Sequence, residues 1–87
     1  MTFEETLGNE IRVIAKQIAG REKRIKETAE TLNKEIGSGD ISLTYIEVYA
    51  ERIIEDCSEI KTLQAKKTIL EDLAEEFLYR KEHTDLY

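Results

Sequence analysis

The chain has no proline, no tryptophan, one cysteine and one histidine. A single cysteine excludes a disulfide within the chain, and Cys57 with His83 falls short of the ligand set of a structural zinc site. Long apolar runs are missing as well. No stretch approaches the ~18–20 apolar residues of a membrane span, and the first residues show no apolar leader segment. Together with the lone thiol, this sets the expectation of a cytoplasmic protein with no membrane partner. Positive charge is in deficit, with 13 Lys and Arg against 19 Asp and Glu for a net −6. That balance argues against direct binding to DNA or to anionic lipid. Glycine is scarce, and two of the four glycines fall in Gly37-Ser38-Gly39-Asp40, the one strong breaker in the sequence.

Uninterrupted helical patterning fills the rest. From Ile46 to Leu78 there is neither Gly nor Pro. Apolar residues there fall at Ile46, Tyr49, Ala50, Ile53, Ile54, Cys57, Ile60 and Leu63, then at Ile69, Leu70, Leu73, Ala74, Phe77 and Leu78. Gaps of three and four belong to a helix, because a strand alternates every two residues. Before the breaker, Leu7, Ile11, Ile14, Ile18, Ile25 and Leu32 keep the same rhythm, with Arg21 and Thr28 in two slots where apolar residues would continue it. Thr2 and Glu5 read as a capping box at its start. The spacing therefore predicts one domain over residues 1–87: a helix over about 3–36, a turn over 37–43, a helix over about 44–79 and a frayed tail over 80–87. Gly37 is the expected left-handed residue after the first helix. Asp40, Ser42 or Thr44 would cap the second, Thr44 with Glu47 as a capping box and Leu43 with Val48 as its staple. The β-branched and aromatic residues of 41–49 leave a short extended piece as the other option there. The apolar gap at Gln64–Thr68 is where a kink or a change of partner would fall. Gly8 and Gly20, inside the first helix, read as tolerated interior glycines or as points where another backbone comes close.

The expected fold class is all-α: an antiparallel two-helix hairpin that dimerises into a four-helix bundle. Two arguments carry the dimer. The apolar stripe of the second helix is wider than the seam needed for one neighbour. A chain this short also buries only about 60–65% of its unfolded surface. Such cores seldom supply more than ~3–5 kcal/mol unaided, so a second copy is the staple that remains.

Charge is arranged in two runs. Lys16, Arg21, Lys23, Arg24 and Lys26 form a basic segment, offset by Glu22. Glu47, Glu51, Glu55 and Glu59 repeat every four residues along the second helix, with Asp56 beside them. Like charges at that spacing repel within an isolated helix, so they ask for a partner. In a hairpin turning near Ser38–Gly39, residue n lies roughly opposite residue 78 − n. The basic segment then meets the later part of the acidic run, and Arg21 falls opposite Cys57 and next to Asp56. A buried Arg21–Asp56 ion pair that sets the register is the structural expectation. The other reading gives the basic segment to a phosphate or nucleotide. It lacks both a glycine-rich loop and the free N–H groups of a helix N-terminus.

No catalytic, cofactor-binding or metal-ligating set emerges, so no cofactor is expected. The residues offered to a partner are Glu47, Glu51, Glu55 and Glu59, with Tyr45 and Tyr49 near the turn. Glu51, Glu55, Asp56 and Glu59 with Glu71, Asp72, Glu75 and Glu76 resemble the paired acidic motifs of all-helical nucleotide pyrophosphohydrolases. That resemblance implies a small all-α enzyme acting on a nucleotide with Mg²⁺, but both groups sit on one predicted helix with no loop to bring them face to face. The size is similar to that of small helical chorismate mutases. Arg12 and Arg21 would be the candidates for their inward-pointing cations, and the spacing of the rest is absent. Cys57 reads as a small core residue. The functional expectation is a protein-interaction or regulatory module, not an enzyme, that binds itself and another protein. Its closest alternative is an acidic inhibitor of a nucleic-acid enzyme, of the kind carried by phages or mobile elements against host defence.

Overall fold

A computed structural model describes residues 2–39 and 42–84, the last two by backbone alone. Helix α1 spans Phe3–Ser38 and helix α2 spans Leu43–Thr84, and no strand occurs among the described residues. The two helices pack side by side in a hairpin. The molecule is a rod of 72 × 17 × 17 Å.

Local chemistry sets the ends. The Thr2 hydroxyl accepts from the Glu5 N–H at 3.1 Å, satisfying one of the free donors of the first turn. At the other end α1 outlasts its expected stop. Gly37 stays helical, and Gly39 takes the left-handed conformation at φ 77°, donating its N–H to the Ile36 carbonyl at 3.2 Å. The Ser38 hydroxyl donates to the Glu35 carbonyl at 2.7 Å and supports the extra turn. Helix α2 begins at Leu43, so Thr44 lies inside it and its capping box does not form. Ser42 is the cap: its hydroxyl accepts from the Tyr45 N–H at 3.4 Å, and its carbonyl accepts from Tyr45 and Ile46 at 3.1 and 3.2 Å. Residues 43–49 are helical, which removes the extended option there. Asp40 and Ile41, offered as a cap and as extended chain, lie outside the described residues, as does the tail 85–87.

Helix α2 is continuous in its middle and outlasts its expected end. It runs unbroken through Gln64–Thr68. Leu63 is buried and Leu70 half-buried on either side of that gap. Lys67, half-buried between them, covers the seam with its aliphatic stem. Residues 80–84 continue the helix because the open end of the hairpin is clamped. Phe3 meets Phe77 edge-on with ring centroids 5.0 Å apart. Lys81 reaches Glu4 at 3.2 Å, and Arg80 holds Glu76 at 2.7 Å.

The core is thin. Leu7, Ile14, Ile18 and Leu63 are the buried apolar residues, and Ile60 and Leu70 pack partly against the central three. Much of the wide stripe on α2 stays uncovered: Ile54, Ile69, Leu73 and Leu78 are all 44% or more exposed. One partner helix covers one seam, and the excess apolar width finds no cover within the chain.

Candidate functional site

The most ordered polar feature is built around Asp56, whose side chain is fully buried at a seam position of α2. Arg21 Nη1 donates to Asp56 Oδ1 at 2.7 Å. Arg24, one turn further along α1, brings Nε within 3.1 Å of Oδ2. The second contact is a charge contact without hydrogen-bond alignment. The hydrogen bond to Asp56 raises the Arg21 pKa above its ordinary value, with the fields of Asp56, Glu59 and Glu55 adding to it against a desolvation that lowers it. Both guanidiniums keep a share of solvent, so this is a buried anion held by two half-exposed cations. A buried carboxylate needs such partners, because an unpaired one would carry its whole desolvation penalty. The structure thus brings Arg21 and Asp56 together and adds Arg24, which flanks the seam and reaches it only through a long side chain.

The two charge runs otherwise make no ion pair with each other among the described residues, although Glu55 and Glu59 lie near enough to act on Arg21. Lys16, Lys23 and Lys26 are exposed and enter none of the ion pairs found among the described residues, Arg21–Asp56, Arg24–Asp56, Arg80–Glu76 and Lys81–Glu4. Glu47, Glu51, Glu55 and Glu59 are likewise exposed and make none of them. A stripe with four-residue spacing drifts about 40° per step around a helix of 3.6 residues per turn. It therefore winds across the outer surface of α2 and does not follow α1.

Tyr45 and Tyr49 have different surroundings. Tyr49 donates its hydroxyl to Glu35 Oε1 at 3.3 Å across the hairpin, and the Arg52 guanidinium lies 5.8 Å from its ring centroid. Desolvation, then the Glu35 carboxylate, push the Tyr49 phenol above its ordinary pKa. Tyr45 is 59% exposed. Arg12 turns to the Asn9 side-chain carbonyl on its own helix, not toward α2. Cys57 is exposed, which corrects its expected place in the core: it stands one residue past the seam position of Asp56.

Among the described residues no group of three or more His, Cys, Asp or Glu side chains is gathered to hold a metal ion. The acidic sets near Glu55 and Glu75 lie on the same unbroken helix, roughly 30 Å apart at 1.5 Å per residue, and so do not meet within one chain. No described helix is long and apolar enough to cross a membrane.

The concave surfaces are shallow. At the open end, a groove of about 150 Å³ is lined mainly by apolar residues, among them Leu7, Gly8 and Ile11 of α1 and Ala74 and Leu78 of α2. A second lies on the opposite flank of that end, between Phe3, Leu73 and Arg80. Neither gathers the convergent polar groups of a small-molecule site. No protein-family model, no curated protein and no solved structure matches this chain.

Proposed function

We propose that the protein is a cytoplasmic interaction module that self-associates into a four-helix bundle and binds a second protein through the outer face of α2. The observation that carries this is the row Glu47, Glu51, Glu55 and Glu59, exposed and making none of the ion pairs among the described residues, while Asp56 beside it is held by Arg21 and Arg24. Repelling carboxylates that make no ion pair within the fold are suited to a basic partner surface. Tyr45, exposed at the turn end of the same helix, supplies an amphipathic contact of the kind enriched at interfaces.

Two measurements test the reading. Light scattering at micromolar concentration returns twice the 10.1 kDa chain mass for the bundle, and a monomer removes it. Retention of proteins from a host extract by the immobilised chain, compared with a Glu47→Gln, Glu51→Gln, Glu55→Gln, Glu59→Gln variant, tests the acidic face. Loss of a partner in the variant supports it, and an unchanged set rejects it.

The same row favours a second reading, an acidic inhibitor that occupies the basic groove of a nucleic-acid enzyme. The two differ in salt response. Groove mimicry through exposed charges weakens steeply as the Debye length falls below about 10 Å, whereas a contact dominated by apolar side chains does not.

A further inference from the structure

Resting on the four-helix-bundle reading, we propose that two copies pair antiparallel through the flank carrying Gly8 and Ile36, each copy's open-end groove receiving Ile36 of the other. In a hairpin of antiparallel helices, the positions just after each seam residue lie on one flank of both helices, and those just before it lie on the other. The first flank is Gly8, Ala15, Glu22, Ala29 and Ile36 on α1, with Leu43, Ala50, Cys57, Gln64, Glu71 and Leu78 on α2. The groove uniting Gly8 and Ile11 with Leu78 shows these rows side by side. The second flank sets Glu10, Gln17 and Arg24 against Arg52, Glu59 and Lys66, a charged surface over most of its length.

The first flank is mostly apolar and largely uncovered: Ile36 is 49% exposed, Leu43 70% and Leu78 48%. A face of a rod 72 Å long and 17 Å wide offers on the order of 1,000 Å² per copy. A standard stable interface needs about 800 Å² per partner. Gly8 supplies a separate argument. A Cβ built there meets nothing nearer than Arg12 Nη2 at 3.9 Å, so the hairpin itself does not require glycine. Glycine inside a helix still costs about 1 kcal/mol relative to alanine. A side chain arriving from outside the chain accounts for it. The groove over Gly8 holds about 150 Å³, a volume that in an apolar cavity accommodates a benzene-sized group.

The arrangement of this flank selects the orientation. The groove lies at the open end and Ile36 at the turn end, 28 residues of helix or roughly 42 Å away. Parallel copies would lay groove against groove and Ile36 beside its own counterpart. Antiparallel copies seat Ile36 in the groove at both ends, bring Ala15 opposite Ala29, and leave Glu22 and Cys57 near the two-fold axis. Such self-complementarity is what an isologous interface requires. Lys26 follows Glu22 by one turn and offsets the like charge at the axis.

The test begins with the mass of the native chain in solution. An Ala15→Cys, Ala29→Cys variant in a Cys57→Ser background, which leaves Gly8 and Ile36 in place, is then treated with a thiol cross-linker of about 10 Å, close to the separation of packed helices. The two sites, about 21 Å apart along α1, are too far apart for a link within one chain. A covalent dimer whose digest contains 15–29 links is expected. In parallel, Ile36→Glu should raise the dimer dissociation constant tenfold or more with helix content retained, whereas Leu73→Glu on the other flank should leave it unchanged. A native dimer that yields only 15–15 and 29–29 links, or that loosens for Leu73→Glu and not for Ile36→Glu, overturns this pairing and leaves the bundle standing. A native monomer at every concentration overturns both.

Discussion

Arg21 Nη1 lies 2.7 Å from Asp56 Oδ1, joining two helices at residues 35 apart in sequence. The partner is not exclusive: Arg24 approaches the other oxygen at 3.1 Å. Neither arginine therefore leaves Asp56 stranded when removed alone. Arg21→Ala and Arg24→Ala should each lower the thermal midpoint by only a few degrees, while the double variant loses clearly more than their sum, about 5–10 °C beyond it. Asp56→Leu on the double-alanine background should recover much of that loss, because an apolar residue at the seam has no charge to neutralise. Circular dichroism melts of the set decide it. Additive losses would show that the two arginines act independently of the buried carboxylate.

The two glycines of the turn should respond in opposite directions. Gly37 is helical and a Cβ there meets nothing within 4 Å, so Gly37→Ala should stabilise by roughly 0.5–1 kcal/mol. Gly39 sits at φ 77°, where a Cβ is strained, so Gly39→Ala should destabilise by about 1 kcal/mol. Gly20→Ala, on an exposed surface with open space around it, should behave like Gly37→Ala. Denaturant midpoints of the three variants check this, and a stabilising Gly39→Ala would move the helix end back to Gly37.

How far these features were legible depended on whether their cause was local. The four-three rhythm from Leu7 to Leu32 is local and produces α1, and a charged residue in that rhythm at Arg21 faces Cys57 and its neighbour Asp56 across the hairpin. Gly37 and Gly39 share one breaker, and local rules do not choose between them; the added turn rests on the hydrogen bonds of Ser38 and Gly39. Residues 80–84 have no apolar periodicity, and their helix depends on Phe3 and Glu4 at the far end of the sequence. Arg24 lies off the seam, so the sequence shows it only as part of a charge run. Cys57 sits one position past the seam, a difference of about 100° around the helix that a wide apolar stripe conceals.

The Tyr49 phenol gives the hairpin an alkaline limit. Its pKa in the folded chain is raised by desolvation and by the Glu35 carboxylate, so the folded state holds the phenolic proton more tightly than the unfolded chain does. The associated stability is whole below the ordinary tyrosine value of about 10 and is lost as pH rises through the folded value. Tyr49→Phe removes that ionisation. As pH rises above the ordinary tyrosine value of about 10, the variant should lose less stability than the parent in urea titrations. Parallel losses would mean that the Tyr49–Glu35 contact does not shape the titration.

At the open end, two contacts hold the ends of α1 and α2 together, the edge-on rings of Phe3 and Phe77 and the Lys81–Glu4 pair, while the Thr2 cap closes the first turn of α1. The ion pair is exposed and contributes about 0–1 kcal/mol at most. The ring contact is the larger, because aromatic pairs add about 0.5–1.5 kcal/mol beyond the area they bury. Phe77 is half-buried, so Phe77→Ala should destabilise by roughly 1.5–2 kcal/mol, below the 3–5 kcal/mol of a fully buried Phe. Its distinctive effect should be local. Amides from about residue 77 to 84, together with those of the first turn of α1, should lose hydrogen-exchange protection. Amides around Ile18 and Ile60 should keep theirs apart from the common global decrease. Lys81→Ala should leave this pattern almost unchanged. Uniform loss along both helices in Phe77→Ala would show that the open end unfolds only with the whole hairpin and that the aromatic clamp is not a separate unit.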